Sequence, residues 1–222
     1  MRANDFLTED SQRDQMYDQV ATKLEKAGYT ELGSGAEAIV WTKDSGSVIK
    51  IILPEDETNN QAVNTFKLFV DFCISNSKYS NLPRIKQIED TSTKFLKELG
   101  LTFVTMERLQ PIKNGSFEEA MIWILSDLSA NNITWNQAWR QINDERTWES
   151  YSEMAPESIL RILDDLDPKD KLEYEILFKL MTVLYHKGRI NKMGWDLHTE
   201  NVMQRSDGTL VIVDPWFSEE VL

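Results

Sequence analysis

The spacing of apolar residues changes partway along the chain, and this change limits the folds that the sequence can adopt. Up to about residue 109 the pattern predicts a hairpin around Asp44-Ser45-Gly46, a helix with an apolar stripe over residues 63–74, and two further strands. From there to about residue 186 the spacing is helical, and two short strands around Ser206-Asp207-Gly208 follow. A small β-rich part followed by a larger helical part predicts an α+β fold with two lobes.

An opening helix precedes the first strand. Its apolar positions recur at helical spacing, and they are Met16, Val20, Leu24 and Ala27. Ser11 is a candidate cap, and Gly28 follows the last apolar position, where helices commonly stop. We therefore expect residues 1–28 to form a helix that packs on a β-rich lobe over residues 29–109.

The second part of the chain, residues 110–222, is expected to form a helical lobe. Its candidate helices cover residues 117–128, 135–142, 156–163 and 172–186. Asp167-Pro168 is a typical cap and first position, so the last helix should begin there. The apolar residues of that helix that we expect to be buried are Leu172, Ile176, Leu180, Val183 and Leu184.

Composition excludes several classes of function. The chain has 24 Lys and Arg against 37 Asp and Glu, a formal charge of −13 that disfavours non-specific binding to nucleic acid or anionic lipid. With Cys73 as its one cysteine and no Cys/His cluster, neither a disulfide scaffold nor a zinc module is expected. No stretch approaches the roughly 18 to 20 apolar residues of a membrane span. We expect no membrane association and a cytoplasmic location.

A glycine-rich segment near the start of the β-rich lobe is a candidate phosphate loop. Gly33 and Gly35 stand in a G-x-G-x-x-A frame that ends at Ala38. Such a frame occurs in dinucleotide-binding turns, which open a helix, and in the glycine-rich loop of kinases, which joins two antiparallel strands. The residues that follow, Ile39-Val40-Trp41, are typical of a strand and favour the second class. A hairpin with permissive glycines and no ligand is the alternative.

Lys50 follows on the next predicted strand. Its neighbours Val48, Ile49, Ile51 and Ile52 are apolar, which indicates a buried setting in which an ammonium group needs a charged partner. The phosphates of ATP would supply that partner, because this is the pattern that directs a strand lysine at the α- and β-phosphates. A solvated group on an edge strand is the alternative.

Three polar residues near the end of the chain have a spacing suited to phosphoryl transfer. Asp196 and Asn201 are five residues apart, and Asp214 follows 13 residues later, after the apolar run 210–213. Phosphoryl transfer requires a carboxylate that orients the attacking hydroxyl and oxygen ligands that hold Mg²⁺ against the phosphates. Asp196 fits the first role, and Asn201 and Asp214 fit the second. The turn at Asp207-Gly208 reverses the chain between Asn201 and Asp214. For each of the three polar residues taken alone, a cap or turn residue is the alternative.

From residue 32 to residue 217 the sequence resembles the protein-kinase-like superfamily, which includes eukaryotic-type kinases and aminoglycoside phosphotransferases. The pairing of Asp-Leu-His-Thr-Glu-Asn with Val-Asp-Pro-Trp resembles most the short early Ser/Thr kinases of lytic bacteriophages. The resemblance implies a two-lobed kinase-like fold, with ATP and Mg²⁺ as cofactors and Met106 as gatekeeper. It implies that the catalytic residues are Asp196, Lys50 and His198 and that Asn201 and Asp214 bind the metal. The residues that it implies for nucleotide binding are Gly33, Ser34, Gly35, Ala38, Lys50 and the backbone of Glu107 and Leu109.

The sequence departs from this family at three places. His198 stands where protein kinases usually have a lysine, and it either orients the loop, touches the γ-phosphate or serves in packing. Pro215-Trp216 replaces Phe-Gly after Asp214, so the flip that this glycine permits is not expected. The helix after Lys50 has no clear glutamate partner for it, because Glu57 is too early and Asp71 rather late.

The acceptor must be bound by a part of the chain other than an activation segment. Eight residues follow Asp214, so we expect a truncated C-lobe without that segment. The helical stretch 116–167 is the candidate; its tryptophans, either core or recognition residues, are Trp123, Trp135, Trp139 and Trp148.

The predicted function is ATP- and Mg²⁺-dependent phosphoryl transfer, by a Ser/Thr protein kinase of phage type whose partners are proteins of a bacterial host. Two alternatives stay open. One is a kinase for small molecules such as aminoglycosides or sugars, and the other is a non-catalytic kinase-fold protein that binds and inhibits a host enzyme. The location would be the host cytoplasm if a phage encodes the chain, and the sequence does not indicate an oligomeric state.

Overall fold

The computed structural model describes residues 9–34, 38–44, 46–53, 61–86, 93–149, 151 and 156–218. The chain forms two compact units: unit 1 is Met1–Ser77 with Pro83–Arg108, and unit 2 is Lys78–Leu82 with Leu109–Leu222. Helices and antiparallel sheets are both present, which confirms the predicted α+β class. Residues 78–82 and Leu109, which the sequence analysis placed in the first lobe, group with unit 2.

Unit 1 is built around a five-stranded antiparallel sheet with the strand order β1-β2-β3-β5-β4. Its strands are β1 (Thr30–Ser34), β2 (Ala38–Thr42), β3 (Ser47–Ile52), β4 (Ile85–Lys86) and β5 (Thr102–Glu107). Its helices are α1 (Glu9–Lys26), α2 (Gln61–Ser75) and α3 (Lys94–Glu98).

The predicted hairpin between β2 and β3 is confirmed, and a side chain closes its turn. Asp44 Oδ1 accepts hydrogen bonds from the backbone N–H of Gly46 at 2.7 Å and of Ser47 at 2.9 Å. These two bonds hold the pKa of Asp44 below its ordinary value, since they stabilise the charged carboxylate. Thr42 Oγ1 donates to the carbonyl of Ser47 at 2.8 Å and joins the two strand ends.

Side chains that alternate along β3 fill two separate cores, one on each face of the sheet. Ile49 and Ile51 belong to the core that also contains Val20 and Leu24 of α1. Val48 and Ile52 belong to the second core, with Phe66 and other residues of α2 and β5. Helices therefore cover both faces, and Lys50, between Ile49 and Ile51 in β3, lies on the α2 face.

Two details of the predicted helices in unit 1 are wrong. Because α1 begins at Glu9, Ser11 lies inside this helix and is not its cap, whereas Gly28 ends it with a φ of +84° as predicted. Ile74 was expected in the buried stripe of α2 but is 43% exposed, because the helix reaches its last turn there.

Unit 2 consists of five helices and two small antiparallel sheets among its described residues. The helices are α4 (Phe117–Ala130), α5 (Trp135–Ile142), α6 (Glu145–Trp148), α7 (Pro156–Asp165) and α8 (Pro168–Ile190). The sheets have the orders β6-β8-β9 and β10-β7, with β6 (Gln110–Pro111), β7 (Met193–Trp195), β8 (Val202–Gln204), β9 (Leu210–Ile212) and β10 (Trp216–Ser218). Across the described ranges, none of the helices of either unit has the length and apolar character that a bilayer crossing requires.

The long helix α8 begins as predicted but buries a different face. Asp167 accepts hydrogen bonds from the N–H of Lys169 at 2.7 Å and of Asp170 at 2.9 Å, so it caps the helix. Of the residues expected to be buried, Leu172 and Val183 are 53% and 51% exposed. The residues that are buried are Tyr174, Leu177, Phe178, Leu180, Met181, Leu184 and Gly188. Apolar residues occur all around α8, so packing against neighbouring elements such as α4 decides which face is covered.

Side-chain hydrogen bonds join residues 78–82 to the β8–β9 hairpin and explain why they belong to unit 2. Asn81 is buried, and its Nδ2 donates to the carbonyl of Leu210 at 2.8 Å. The Asn81 carbonyl accepts from the N–H of Ile212 at 3.0 Å. Arg205 Nη2 donates to the carbonyl of Leu82 at 3.0 Å.

Candidate active site

In unit 2 the structure brings Asp196, Asn201 and Asp214 together. Asp196 directly follows β7, and Asn201 ends a single 3-10 turn, Thr199–Asn201, that leads into β8. The N–H of Asp196 donates to the carbonyl of Pro215 at 3.0 Å, and the N–H of Val213 donates to the carbonyl of Asn201 at 2.9 Å. Since these bonds involve the residues on either side of Asp214, Asp214 lies beside both Asp196 and Asn201.

The Asn201 side chain fixes the loop that carries Asp196. Its Nδ2 donates to the backbone carbonyl of Asp196 at 2.6 Å and lies 3.1 Å from the carboxylate oxygen Oδ2. With its amide nitrogen engaged in this way, the group that Asn201 can offer to a cation is its carbonyl oxygen. The carboxylate of Asp196 accepts a hydrogen bond and is still 43% exposed, so an acceptor hydroxyl can approach it.

His198 lies between these two residues. Its Nδ1 is 3.3 Å from the N–H of Glu200, and its Nε2 is 3.1 Å from Asn201 Nδ2 and 3.6 Å from Asp196 Oδ1. A neutral imidazole has one accepting nitrogen, so the contacts to Glu200 and Asn201 cannot both be hydrogen bonds in one tautomer. When Nδ1 accepts from Glu200, the proton is on Nε2 and faces Asp196. The contacts hold the His198 ring between Glu200, Asn201 and Asp196.

Helix α4 supports the same loop through two side chains that the sequence analysis did not assign to the site. Ser126 is buried; its Oγ donates to the carbonyl of Leu197 at 2.9 Å and accepts from Trp195 Nε1 at 3.0 Å. The ring of Trp123, 40% exposed, stacks on His198 with 6.3 Å between ring centroids. Trp123 was considered only as one of four tryptophans, and the signal for Ser126 was a hydroxyl within an apolar helical run.

The tryptophans of unit 2 separate into core and surface residues. Trp148 and Trp135 are buried, which confirms the core interpretation for these two. Trp139 is partly buried and packs against Trp135, with 5.2 Å between ring centroids. Trp123 alone of the four is prominently exposed, so it is the one that can meet a ligand.

The segment after Asp214 is held by tight packing against two glycines. Trp216 is 2% exposed, and its Nε1 donates to the carbonyl of Leu184 in α8 at 3.0 Å. A Cβ at Gly188 would lie 2.7 Å from this nitrogen, and a Cβ at Gly194 would lie 2.1 Å from the ring of Phe217. Neither glycine was identified from sequence, because the need for it arises from contacts between elements.

In unit 1 the glycine-rich segment joins two antiparallel strands, as expected for a kinase-type loop and not for a dinucleotide-binding turn. Ser34 at the end of β1 is paired with Ile39, next to Ala38 at the start of β2. A Cβ at Gly33 would meet nothing within 4 Å, so packing inside the unit does not require this glycine. Gly35 lies outside the described residues.

Lys50 lies in the middle of β3, with Val40 of β2 and Val104 of β5 as its cross-strand partners. Its Nζ is 5.5 Å from the centroid of the Phe66 ring in α2. The only carboxylate in the α2 sequence, Asp71, is exposed, and Glu57 lies outside the described residues.

The predicted hinge follows β5. Met106 is buried in the second core of unit 1, as a gatekeeper side chain beside α2 would be. The N–H of Glu107 donates to the carbonyl of Arg84 at 3.1 Å, so the backbone group that it can offer to an adenine is its carbonyl. Leu109 is buried and belongs to unit 2.

The residues of unit 2 fit a magnesium ion that is shared with a nucleotide. No group of three or more His, Cys, Asp or Glu side chains suited to a metal occurs within the part of the chain that the structure describes. Mg²⁺ is commonly bound by one or two protein oxygens, with phosphate oxygens and waters completing its octahedron. The Asn201 amide oxygen and the Asp214 carboxylate would supply such a pair, and the metal would neutralise charge on the transferred phosphoryl group.

No protein-family model matches the sequence, and no curated protein matches it. Among solved structures, the chain is similar to one described as the ternary complex of streptomycin, ATP and APH(2″)-IIa. The match has 13% sequence identity and a TM-score of 0.35, and it covers 90% of this chain and 69% of that chain. Similarity at this level assigns neither a family nor a ligand to the chain.

Proposed function

We propose that the protein transfers the γ-phosphoryl group of ATP to a hydroxyl group, with Mg²⁺ as cofactor. The observation that carries this proposal is the hydrogen-bonded arrangement in which Asn201 holds Asp196 while the chain returns to place Asp214 beside them. An orienting carboxylate next to two oxygen ligands is what phosphoryl transfer requires from a protein. The order of the glycine loop, Lys50 and this arrangement along the chain supports the same proposal.

Each residue then has a defined task. Asp196 accepts the hydrogen bond of the acceptor hydroxyl and takes its proton as the new O–P bond forms, while the bond from the γ-phosphorus to the bridging oxygen breaks and ADP leaves. Asn201 and Asp214 hold the metal, Lys50 binds the α- and β-phosphates, and the loop that starts at Gly33 covers them. His198 positions Asp196 through the contacts described above.

For the acceptor we propose Ser and Thr hydroxyls of proteins, and for the biological setting the phage-type activity on host proteins that the sequence resemblance implies. A small-molecule hydroxyl is the second candidate. The exposed ring of Trp123 lies against His198, beside Asp196. This position supports an acceptor with an apolar or flat part, which either a protein or a small molecule can supply.

The test is transfer of label from [γ-³²P]ATP with Mg²⁺, offered either to a bacterial lysate or to a panel of aminoglycosides and sugars. Label in proteins supports the protein-kinase proposal, and label only in small molecules supports the second candidate. Asp196→Asn should lower the transfer rate by a factor of about 10² to 10⁴, the usual contribution of a general base. The affinity of this variant for Mg-ATP, measured by thermal shift, should stay nearly unchanged.

Asp165→Asn is the matched control, because it removes one carboxylate from an exposed position in α7 of the same unit. If Asp196→Asn and Asp165→Asn transfer phosphate equally well, Asp196 does not have the proposed role. If the parent protein neither transfers label nor is stabilised by Mg-ATP, the proposed phosphotransferase activity is wrong. That result would support a non-catalytic binding protein.

A further inference from the structure

Unit 2 contains a cavity that is not lined by the residues of the candidate active site. It has a volume of about 400 Å³ and lies between the ends of α4 and α7, the first turns of α8 and the turn that joins β8 to β9. None of Asp196, His198, Asn201 and Asp214 lines it. The volume is within the range of small-molecule sites, roughly 300 to 1,000 Å³.

The charged groups around the cavity are mostly acidic. Four carboxylates line it, from Glu118, Asp170, Glu173 and Asp207, against the single ammonium group of Lys169. Asp207 accepts from the N–H of Thr209 at 3.0 Å, and the Lys169 ammonium is 4.0 Å from Glu173 on the exposed side of α8. The negative charge is therefore only partly compensated by the protein itself.

Tyr174 is the observation that points to a ligand. Its side chain lines the cavity and is only 8% exposed. Its hydroxyl makes no hydrogen bond to a residue in the described ranges and is not among the fully enclosed polar atoms, so a bound molecule can reach it. Burial, and then the charges of Glu118, Asp170 and Glu173, raise the pKa of Tyr174 above its ordinary value. The hydroxyl therefore stays neutral and close to three carboxylates, with its oxygen able to accept a hydrogen bond from a bound molecule.

The remaining walls are apolar. Ile162 and Leu166 line one side, and Phe117, Leu177 and Leu210 line another. The ring of Phe117 packs edge-on against Tyr174, with 6.1 Å between centroids, and so helps to hold the tyrosine in place. A ligand for this cavity needs an aliphatic body for these walls and a charged end for the carboxylates.

We propose that this cavity binds an aliphatic organic cation, with an ammonium or guanidinium group between Tyr174, Glu118 and Glu173 and its alkyl chain on the apolar walls. Several N–H donors on one cation can reach the tyrosine oxygen and the carboxylates at the same time, whereas a neutral alcohol has a single O–H donor and a metal ion has no apolar part for the walls. The cation can be a free polyamine-like molecule or the side chain of a basic and apolar peptide. The proposal does not depend on phosphoryl transfer.

The test is calorimetric titration of the full chain at low salt with two probes. Agmatine represents the free cation, acetyl-Leu-Arg-amide represents the peptide source, and pentanamide serves as the uncharged control. We expect one of the two cations to bind with a stoichiometry of one and pentanamide not to bind. The tighter cation identifies the source.

Variants of the lining residues should change the binding affinity in directions that non-specific attraction to an acidic protein would not produce. Tyr174→Phe should weaken binding without loss of stability, since no hydrogen bond of the free protein is removed. Glu173→Gln should weaken it by up to about fivefold, the effect of a partly exposed ion pair. Lys169→Gln should strengthen it. Glu175→Gln is the matched control on the same helix, because Glu175 pairs with Lys179 at 2.5 Å outside the cavity.

The outcomes decide the proposal. The proposal is supported if either cation binds, if the variants change its affinity in the directions given above, and if binding weakens as salt is added. It is overturned if neither cation binds at millimolar concentration. It is equally overturned if Glu175→Gln lowers affinity as much as Glu173→Gln, or if Tyr174→Phe has no effect.

Discussion

Replacing Ser126 by alanine should destabilise unit 2, because this hydroxyl connects α4 to the segment that carries Asp196. The Ser126 Oγ donates to the carbonyl of Leu197 and accepts from Trp195 Nε1. Removing it leaves one acceptor and one donor without their partner. Leu197 is buried and Trp195 is half-buried, so water replaces the hydroxyl poorly at the Leu197 carbonyl.

The size of the effect follows from these two groups. A buried polar group that loses its partner costs about 1–3 kcal/mol. The carbonyl of Leu197 is fully covered, whereas the indole of Trp195 is half-buried and belongs at the low end of that range. Alanine recovers about 0.5 kcal/mol through its higher helix propensity. We expect Ser126→Ala to lower the free energy of unfolding by about 1.5–3.5 kcal/mol, and the transfer rate with it.

Ser129→Ala is the matched control, three residues further along the same helix. Ser129 is also buried, but its Oγ donates to the carbonyl of Ser126 within α4 at 2.7 Å, so its loss strands no group of the loop. We expect a change below about 1 kcal/mol for this variant. Urea unfolding followed by tryptophan fluorescence measures both. If Ser126→Ala loses no more stability than Ser129→Ala, the assignment of Ser126 as the support of the loop is wrong.

Two further predictions concern packing and pH. Gly194→Ala should lower the free energy of unfolding by about 1–3 kcal/mol, because the new methyl group overpacks against its cross-strand partner Phe217. A second substitution, Phe217→Ala, should restore most of that loss. Equal urea midpoints for Gly194→Ala and the parent would contradict this prediction. The hydroxyl of Tyr17 donates to Glu31 at 2.5 Å, and this bond, with burial and the charge of Glu31, raises the pKa of Tyr17 from 10.0 to about 12. Because the folded-state pKa is the higher one, the bond stabilises the fold below pH 10 and its contribution is lost as the pH rises through 12. Tyr17→Phe should therefore be less stable than the parent at pH 8, with a difference that narrows between pH 10 and 12; a difference that does not change with pH would refute the assignment.

Features that depend on neighbours in the sequence could be predicted well. The hairpin around Asp44 and the start of α8 at Asp167 both rest on side chains that bond to backbone groups two or three residues away. The choice between a strand and a helix after the glycine-rich segment was correct for the same reason, because β-branched and aromatic residues follow it. Backbone hydrogen bonds bring the segments of Asp196, Asn201 and Asp214 together within one unit, and the roles assigned to these residues from their spacing stay predictions.

Features that depend on contacts between distant elements could not be predicted. The buried face of α8 was partly wrong because Leu172 and Val183 are as apolar as the residues that the fold covers. The grouping of residues 78–82 with unit 2 depends on Asn81, whose bonds to β9 span about 130 positions of the chain. The requirement for Gly188 arises only once the Trp216 ring is in place.

The burial of the Trp216 indole restricts how activity can be regulated. A backbone rearrangement that carries residues 214–216 away from Asn201 draws the Trp216 ring out from beneath α8. Exposing the area that a buried tryptophan covers costs about 3–5 kcal/mol. At equilibrium, fewer than about one molecule in a hundred would then have the aspartate displaced. On the proposed function, control of this protein therefore acts on the supply of nucleotide or on access of the acceptor and not on the position of Asp214.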